Sequence, residues 1–202
     1  MLKIGLAGGS GSGKGAVSLL LSYSGIPSFD CDAVYHDLIS RDGSLSRELA
    51  AAFGDVILSP NRAVDRKKLA EIAFHDPEKR KTLNEITHKR IIKTLYEWIE
   101  RAERQGVPAI LIDAPLLFES GLDRECDLTL AVIAPPELRI ERITARDDLT
   151  PEAAAERIAA QIPDGELVRR ADYVVNNGGD RASLANEVNR ILTIIKERGK
   201  TQ

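Results

Sequence analysis

Residues 2–14, LKIGLAGGSGSGK, constrain this chain more than any other stretch. Leu2–Ala7 is short and apolar and is followed at once by glycines, as a buried strand is when it ends in a tight loop. Gly8, Gly13 and Lys14 then satisfy the spacing G-x-x-x-x-G-K, and a helical pattern follows over 16–21. Strand before and helix after is the setting this spacing needs in order to cradle phosphate. Glycines let the backbone turn its N–H groups inward on one anion, where a β-carbon would forbid it. The helix N-terminus adds partial positive charge, and Lys14 a full one. The candidate nucleotide-binding residues are therefore Gly9, Gly11, Ser12, Gly13, Lys14, Gly15 and Ala16.

The rest of the chain alternates strand-like and helix-like stretches. Ser28–Asp30, Ala109–Asp113 (AILID), Leu128–Ile133 (LTLAVI) and 173–175 read as strands. They are nearly continuous apolar runs, as parallel strands covered on both faces require. This pattern predicts an α/β fold, a P-loop NTPase-type parallel sheet flanked by helices. The long stretch between the second and third strands holds no convincing strand. Asp65 is placed to cap a helix starting at Arg66. A longer helix is expected over Pro77–Arg104, with Ile91, Ile92, Leu95, Trp98, Ile99 and Ala102 on one face. That is too much helix for a crossover, so part of it is expected to be a substrate-binding insertion. Further helices are expected over 136–146 and after Thr150, with Pro151 at the first helical position. Leu184, Val188, Ile191, Leu192 and Ile195 stripe a final one.

Composition bounds the partners. The chain has 202 residues, 43% hydrophobic and 29% charged, which suits one soluble domain with an insertion or lid. A net charge of −3 gives no field for nucleic acid or membrane surfaces, so phosphate must be held by local cations. The start of the chain lacks the regions of a signal peptide, and no apolar run is long enough to cross a bilayer. A cytoplasmic monomer is expected. Cys31 and Cys126 lack metal-binding spacing and read as reduced thiols.

Carboxylates and cations suited to phosphoryl transfer follow the loop in sequence. Asp30 and Asp32 close the second strand, where a carboxylate can accept a hydroxyl proton and help orient Mg²⁺; either can instead cap the next helix. Asp113 ends AILID and is a candidate to hold Mg²⁺ through water. Pro115, Leu116, Leu117 and Phe118 are candidates for a wall of the acceptor pocket, or for ordinary core. Arg139, Arg142 and Arg146 share a helix face and suit a transferring phosphoryl group; solvent-facing pairing with Glu137 or Glu141 is the other reading. His88, in THKR, is placed to meet an acceptor phosphate or to lie on a solvated helix face. One position departs from the pattern: Gly15 stands where a Ser or Thr hydroxyl would bind Mg²⁺. Three readings follow: water or a nearby carboxylate replaces that hydroxyl, the chain binds nucleotide but turns over poorly, or the sequence carries an alteration at this point.

The segments IGLAGGSGSGK, PSFDCD, DAPLLFESGL, ERITARD, RIAAQ and ADYVVNNGG occur in that order. In them, and in the histidine of the insertion, the chain resembles the dephospho-coenzyme A kinase family along nearly its whole length. The resemblance implies an ATP- and Mg²⁺-dependent transfer of the γ-phosphate to the ribose 3′-hydroxyl of dephospho-coenzyme A. It points to Asp32 as general base, to Lys14 for the phosphates, to Arg142 and Arg146 in a lid over 136–170, and to Asn177 beside the adenine. Residues 33–104 would hold much of the acceptor. Lys89 and Asn176 depart from residues common in the family, but only Gly15 touches the chemistry. Another small-molecule P-loop kinase, or a binder without turnover, are the competing readings.

Overall fold

The computed structural model describes residues 1–74 and 76–199. The chain divides into two compact units, the first of residues 1–29 with 102–202 and the second of residues 30–101. Strands β1 (Leu2–Ala7), β2 (Ser28–Asp30), β3 (Ala109–Asp113), β4 (Leu128–Ile133) and β5 (Tyr173–Asn176) form one sheet in the order β2-β3-β1-β4-β5. β1 pairs in parallel with β3 on one side and with β4 on the other, and β4 pairs in parallel with β5. Pro27 O accepts the Leu111 N–H at 2.9 Å, alongside β3. All five residues of β3 are buried, as are five of the six in β1 and in β4. That burial on both faces explains the unbroken apolar runs.

Helix α1 (Lys14–Tyr23) starts straight out of the glycine loop, and α9 (Arg181–Gly199) closes the chain. Val17 and Leu21 of α1, and Leu184, Val188, Ile191 and Ile195 of α9, join Ile4, Leu6, Leu130 and Val175 in one core. Helix α6 (Pro136–Asp147) follows β4 with proline in its first turn, where the missing N–H is no loss. In α7 (Pro151–Ala159) the Thr150 hydroxyl accepts the Ala153 N–H at 3.2 Å, and α8 (Asp164–Arg170) completes this stretch. The expected caps and stripes are present; α8 was not foreseen.

The second unit is helical: α2 (Cys31–Arg41), α3 (Gly43–Phe53), α4 (Arg66–Phe74) and most of α5 (Pro77–Arg104). Ile39, Leu45, Leu49, Ile57, Val64 and Leu69 form its core, with Tyr35, Leu83 and Ile86 packed against it. Asp42 organises one end. It accepts the Ser44 and Leu45 N–H groups at 2.8 and 3.1 Å and so caps α3. Arg90 of α5 reaches its other oxygen at 3.2 Å, and also Glu48 at 2.9 Å. The Ser44 hydroxyl, followed by the backbone donors and Arg90, outweighs a smaller desolvation penalty and holds the Asp42 carboxyl below its ordinary range. Among the described residues, no helix is long and apolar enough to cross a membrane.

Candidate active site

The strand order reverses at β1, whose two neighbours come from later in the chain on either side. The C-terminal edge of the sheet at such a switch point is where ligands bind in open α/β folds. Gly8 to Gly13 sit on that edge and lead into α1. Gly11 and Gly13 have φ of 76° and 90°, which side-chain-bearing residues rarely adopt. A β-carbon on Gly13 would also collide with the Asn177 amide, so glycine is required there twice over. Gly13 takes the N-cap position of α1 and supplies no side chain to cap it. The Ala16 N–H already donates to Gly13 O at 2.9 Å, so it is the Lys14 and Gly15 N–H groups of that turn that suit an anion.

Lys14 lies at the head of α1 and its ammonium group meets the carboxylate of Asp113, at the end of the neighbouring strand β3. Asp113 is 4% exposed, so this pair is held away from bulk water. The arrangement puts a lysine beside a strand-ending carboxylate at the loop. A β-carbon on Gly15 would meet nothing within 4 Å, so the position that usually carries a hydroxyl is open here. Among the described residues, no group of three or more His, Cys, Asp or Glu gathers to hold a metal. Mg²⁺ does not need one, because it keeps several waters and takes the rest of its oxygens from one or two carboxylates and substrate phosphates. Asp113, the strand-ending carboxylate that meets Lys14, fits that donor set.

The three arginines of α6 separate in the structure. Arg139 is 3% exposed, and its Nε donates to Ser10 O at 2.8 Å. Its guanidinium also binds Asp164 at 2.7 Å and reaches Gln161 at 3.4 Å. Gln161 Oε1 in turn accepts the Ser10 N–H at 2.8 Å. Arg139 therefore braces the loop from behind, with Gln161 and Asp164 as partners. Arg142 donates to Gly11 O at 3.1 Å and to Asn177 O at 3.1 Å. Asn177 is 5% exposed, and its Nδ2 donates to Ser12 O at 2.8 Å. Arg146 is at the surface and grips Asp147 at 2.7 and 2.8 Å, and Arg157 joins the same carboxylate at 2.6 Å. So Arg142 and Asn177 are joined to the loop, while Arg146 sits in a surface clasp about one turn further along α6.

The remaining candidates are more dispersed. Leu117 and Phe118 are buried; Leu117 and Cys126 pack over Gly5 of β1, and the Arg170 guanidinium lies 4.7 Å from the Phe118 ring centre. Pro115 is half-buried and Leu116 is 51% exposed. In the second unit, Asp30 settles as the cap of α2, its Oδ1 accepting the Ala33 N–H at 2.9 Å. Asp32, in the first turn of α2, is exposed, and His88 is half-buried on α5. Burial pushes the Cys126 thiol up to about 12, against a smaller opposing pull from Lys3. Sequence reasoning assigned no role to Gln161 or Asp164. Gln161 lay within RIAAQ, but nothing in that pattern says that it reaches Ser10.

A parallel sheet with this loop and lysine at its switch point is the architecture of the P-loop kinases. The family model for dephospho-CoA kinase matches residues 2–183. The chain belongs to the dephospho-CoA kinase family. A curated relative with that name from Corynebacterium glutamicum is 40% identical over 98% of this chain and 99% of its own. A solved structure from Thermus thermophilus superposes with a TM-score of 0.83 at 34% identity, covering 95% of this chain and 96% of that one. Dephospho-CoA kinase from Campylobacter jejuni superposes at 0.72 with 26% identity, covering 97% and 98%.

Proposed function

We propose that this chain transfers the γ-phosphate of ATP to the ribose 3′-hydroxyl of dephospho-coenzyme A, giving coenzyme A and ADP. The observation that carries the reading is the end-to-end match to a relative of that name, at 40% identity and nearly complete coverage of both chains. The loop and α1 would hold the β- and γ-phosphates, with Lys14 released from Asp113 to neutralise them. Asp32 takes the proton of the 3′-hydroxyl as that oxygen bonds to phosphorus. The bond from the γ-phosphorus to the bridging oxygen breaks, and ADP leaves. Arg142, joined to the loop carbonyls, is placed to follow charge on the transferring oxygens. Asp113 would hold Mg²⁺, which when bound spreads the phosphate charge. Asn177 would lie beside the adenine, and His88 would meet the acceptor.

Asp32→Ala tests the base. ATP binding should stay nearly intact while turnover falls by roughly a hundredfold or more; retention of most activity would remove Asp32 from that role. Gly15 favours a second reading, a nucleotide binder with weak turnover. Transfer from Mg²⁺-ATP to dephospho-coenzyme A, compared between this chain and Gly15→Ser, separates the two. The open space at Gly15 admits the serine without a clash. Substantial turnover by the unaltered chain supports the kinase. Activity confined to Gly15→Ser supports the weakened form, and inactivity of both rejects the acceptor.

A further inference from the structure

A pocket of about 460 Å³ opens in the second unit, lined among others by Tyr35, Arg66, Lys67, Ala73, Arg80 and Leu83. Its volume falls in the range of small-molecule sites. Three of its lining residues are cations and none is a carboxylate. Among the described residues, the side-chain partner of Arg66 is the His36 ring nitrogen at 3.3 Å, and none of the three cations is in an ion pair. Alanine, leucine and the Tyr35 ring supply the apolar remainder. Such a lining suits a ligand that is anionic at one end and organic at the other. A second observation ties the pocket to the acceptor carboxylate. Asp32 and Tyr35 stand three apart on α2 and so share a face, one turn or about 5 Å along the axis. Burial raises the Tyr35 phenol above its usual range, while Arg66 pulls it down and Asp32 pushes it up, so both charges are felt at that ring.

We propose that this pocket takes the 5′-diphosphate of dephospho-coenzyme A, with Arg66, Lys67 and Arg80 on its oxygens. The inference rests on the kinase reading and deepens it. In this acceptor the diphosphate is attached through C5′, a few bonds from the 3′-hydroxyl. The separation of diphosphate and reacting hydroxyl is thus comparable to the one helical turn between Tyr35 and Asp32. Bidentate arginine and a lysine point charge match phosphate oxygens, and the apolar wall suits the organic arm beyond them. The pocket would then fix the acceptor by its one charged group, which takes no part in the transfer, and leave the ribose at Asp32.

Calorimetric titration tests this with dephospho-coenzyme A and, separately, with ATP. The proteins are the unaltered chain, Arg66→Ala, Lys67→Ala, the double variant and Arg66→Lys. Each alanine should weaken dephospho-coenzyme A about tenfold, and the pair more than either alone, as loss of a charged hydrogen bond predicts. Arg66→Lys should recover part of the loss. ATP affinity should stay within about twofold and the melting temperature within about 2 °C, since these are exposed surface positions. Unchanged dephospho-coenzyme A affinity in the double variant would overturn the proposal. So would an equal fall in ATP affinity and stability, which would mark a structural role. Failure of the unaltered chain to bind dephospho-coenzyme A at all would instead strike the kinase reading, and the pocket assignment with it.

Discussion

Arg139, Arg142 and Arg146 have the same side chain on one helix face, and three different surroundings give them three different tasks. Arg139 is almost fully enclosed, and every contact named for it is an acceptor of this chain: Ser10 O, Asp164 and Gln161. A guanidinium in that state is committed to positioning. Arg139→Ala would leave Asp164 and the Ser10 carbonyl without their donor. It should destabilise the fold by roughly 2–3 kcal/mol, because removing one partner of an enclosed pair strands the other. The melting temperature should fall by roughly 5–10 °C. A change under about 1 °C would mean that Gln161 alone secures the loop. Spacing placed all three arginines on a shared face, but their separate roles were not legible. Periodicity reports direction around an axis, whereas the burial and partners of Arg139 and Arg142 depend on chain segments more than twenty residues away, and Arg146 alone finds its partner next door in Asp147. Asp30 and Asp32 teach the same lesson: either could cap α2, and only the bond to Ala33 N–H assigns the task.

Among elements, α6 and α7 are joined by a charge clasp at the end of α6, where Asp147 receives both Arg146 and Arg157. The Arg146 hydrogen bond is the largest cause that lowers the Asp147 carboxyl, to about 2, with both arginine charges adding to it. A carboxyl whose folded value lies below its unfolded value binds its proton more weakly in the fold. Its stabilising contribution is present above the unfolded value of about 4 and is lost as pH falls toward 2. Asp147→Asn should therefore be less stable than the unaltered chain at pH 6, and the gap should close as pH falls toward 2. Thermal melts across that range would show it; a gap constant with pH would exclude the clasp as its source. Added salt should narrow the pH 6 gap, because the clasp is at the surface. Helices with strong local signals were legible: Thr150-Pro151 announced α7, Asp65 announced α4, and Pro77–Arg104 appears at its expected bounds. Helices α3 and α8 were passed over. α3 carries its signal in Asp42, whose capping bonds resemble any Asp-Gly turn until the chain beyond is seen to fold back. α8 has seven residues, too short for a periodic stripe to stand out.

At the scale of the molecule, the glycine loop makes nucleotide binding and folding stability a linked pair. A ligand that binds only the folded state at a hundred times its Kd adds about 2.7 kcal/mol. ATP at that level should raise the melting temperature by roughly 5–10 °C. Lys14→Ala should abolish most of the shift even where its own melting temperature without ATP is altered. A full shift in that variant would remove Lys14 from the phosphate site. The sequence by itself determined the strand–loop–helix that opens the chain, the α/β class, the apolar strands, the long helix of the insertion and the family. These rest on local spacing, backbone permissiveness and burial periodicity, all of which are written within a few turns of chain. Tertiary structure alone decided that β1 lies between β3 and β4, that Lys14 meets Asp113, and that Gln161 and Arg139 brace Ser10. It also brought Tyr35, Arg66 and Arg80 to one pocket. Those pairings join residues far apart in the chain, and which ones meet is set by how the helices and strands bury their apolar faces together, a property of the packed whole that no local window contains.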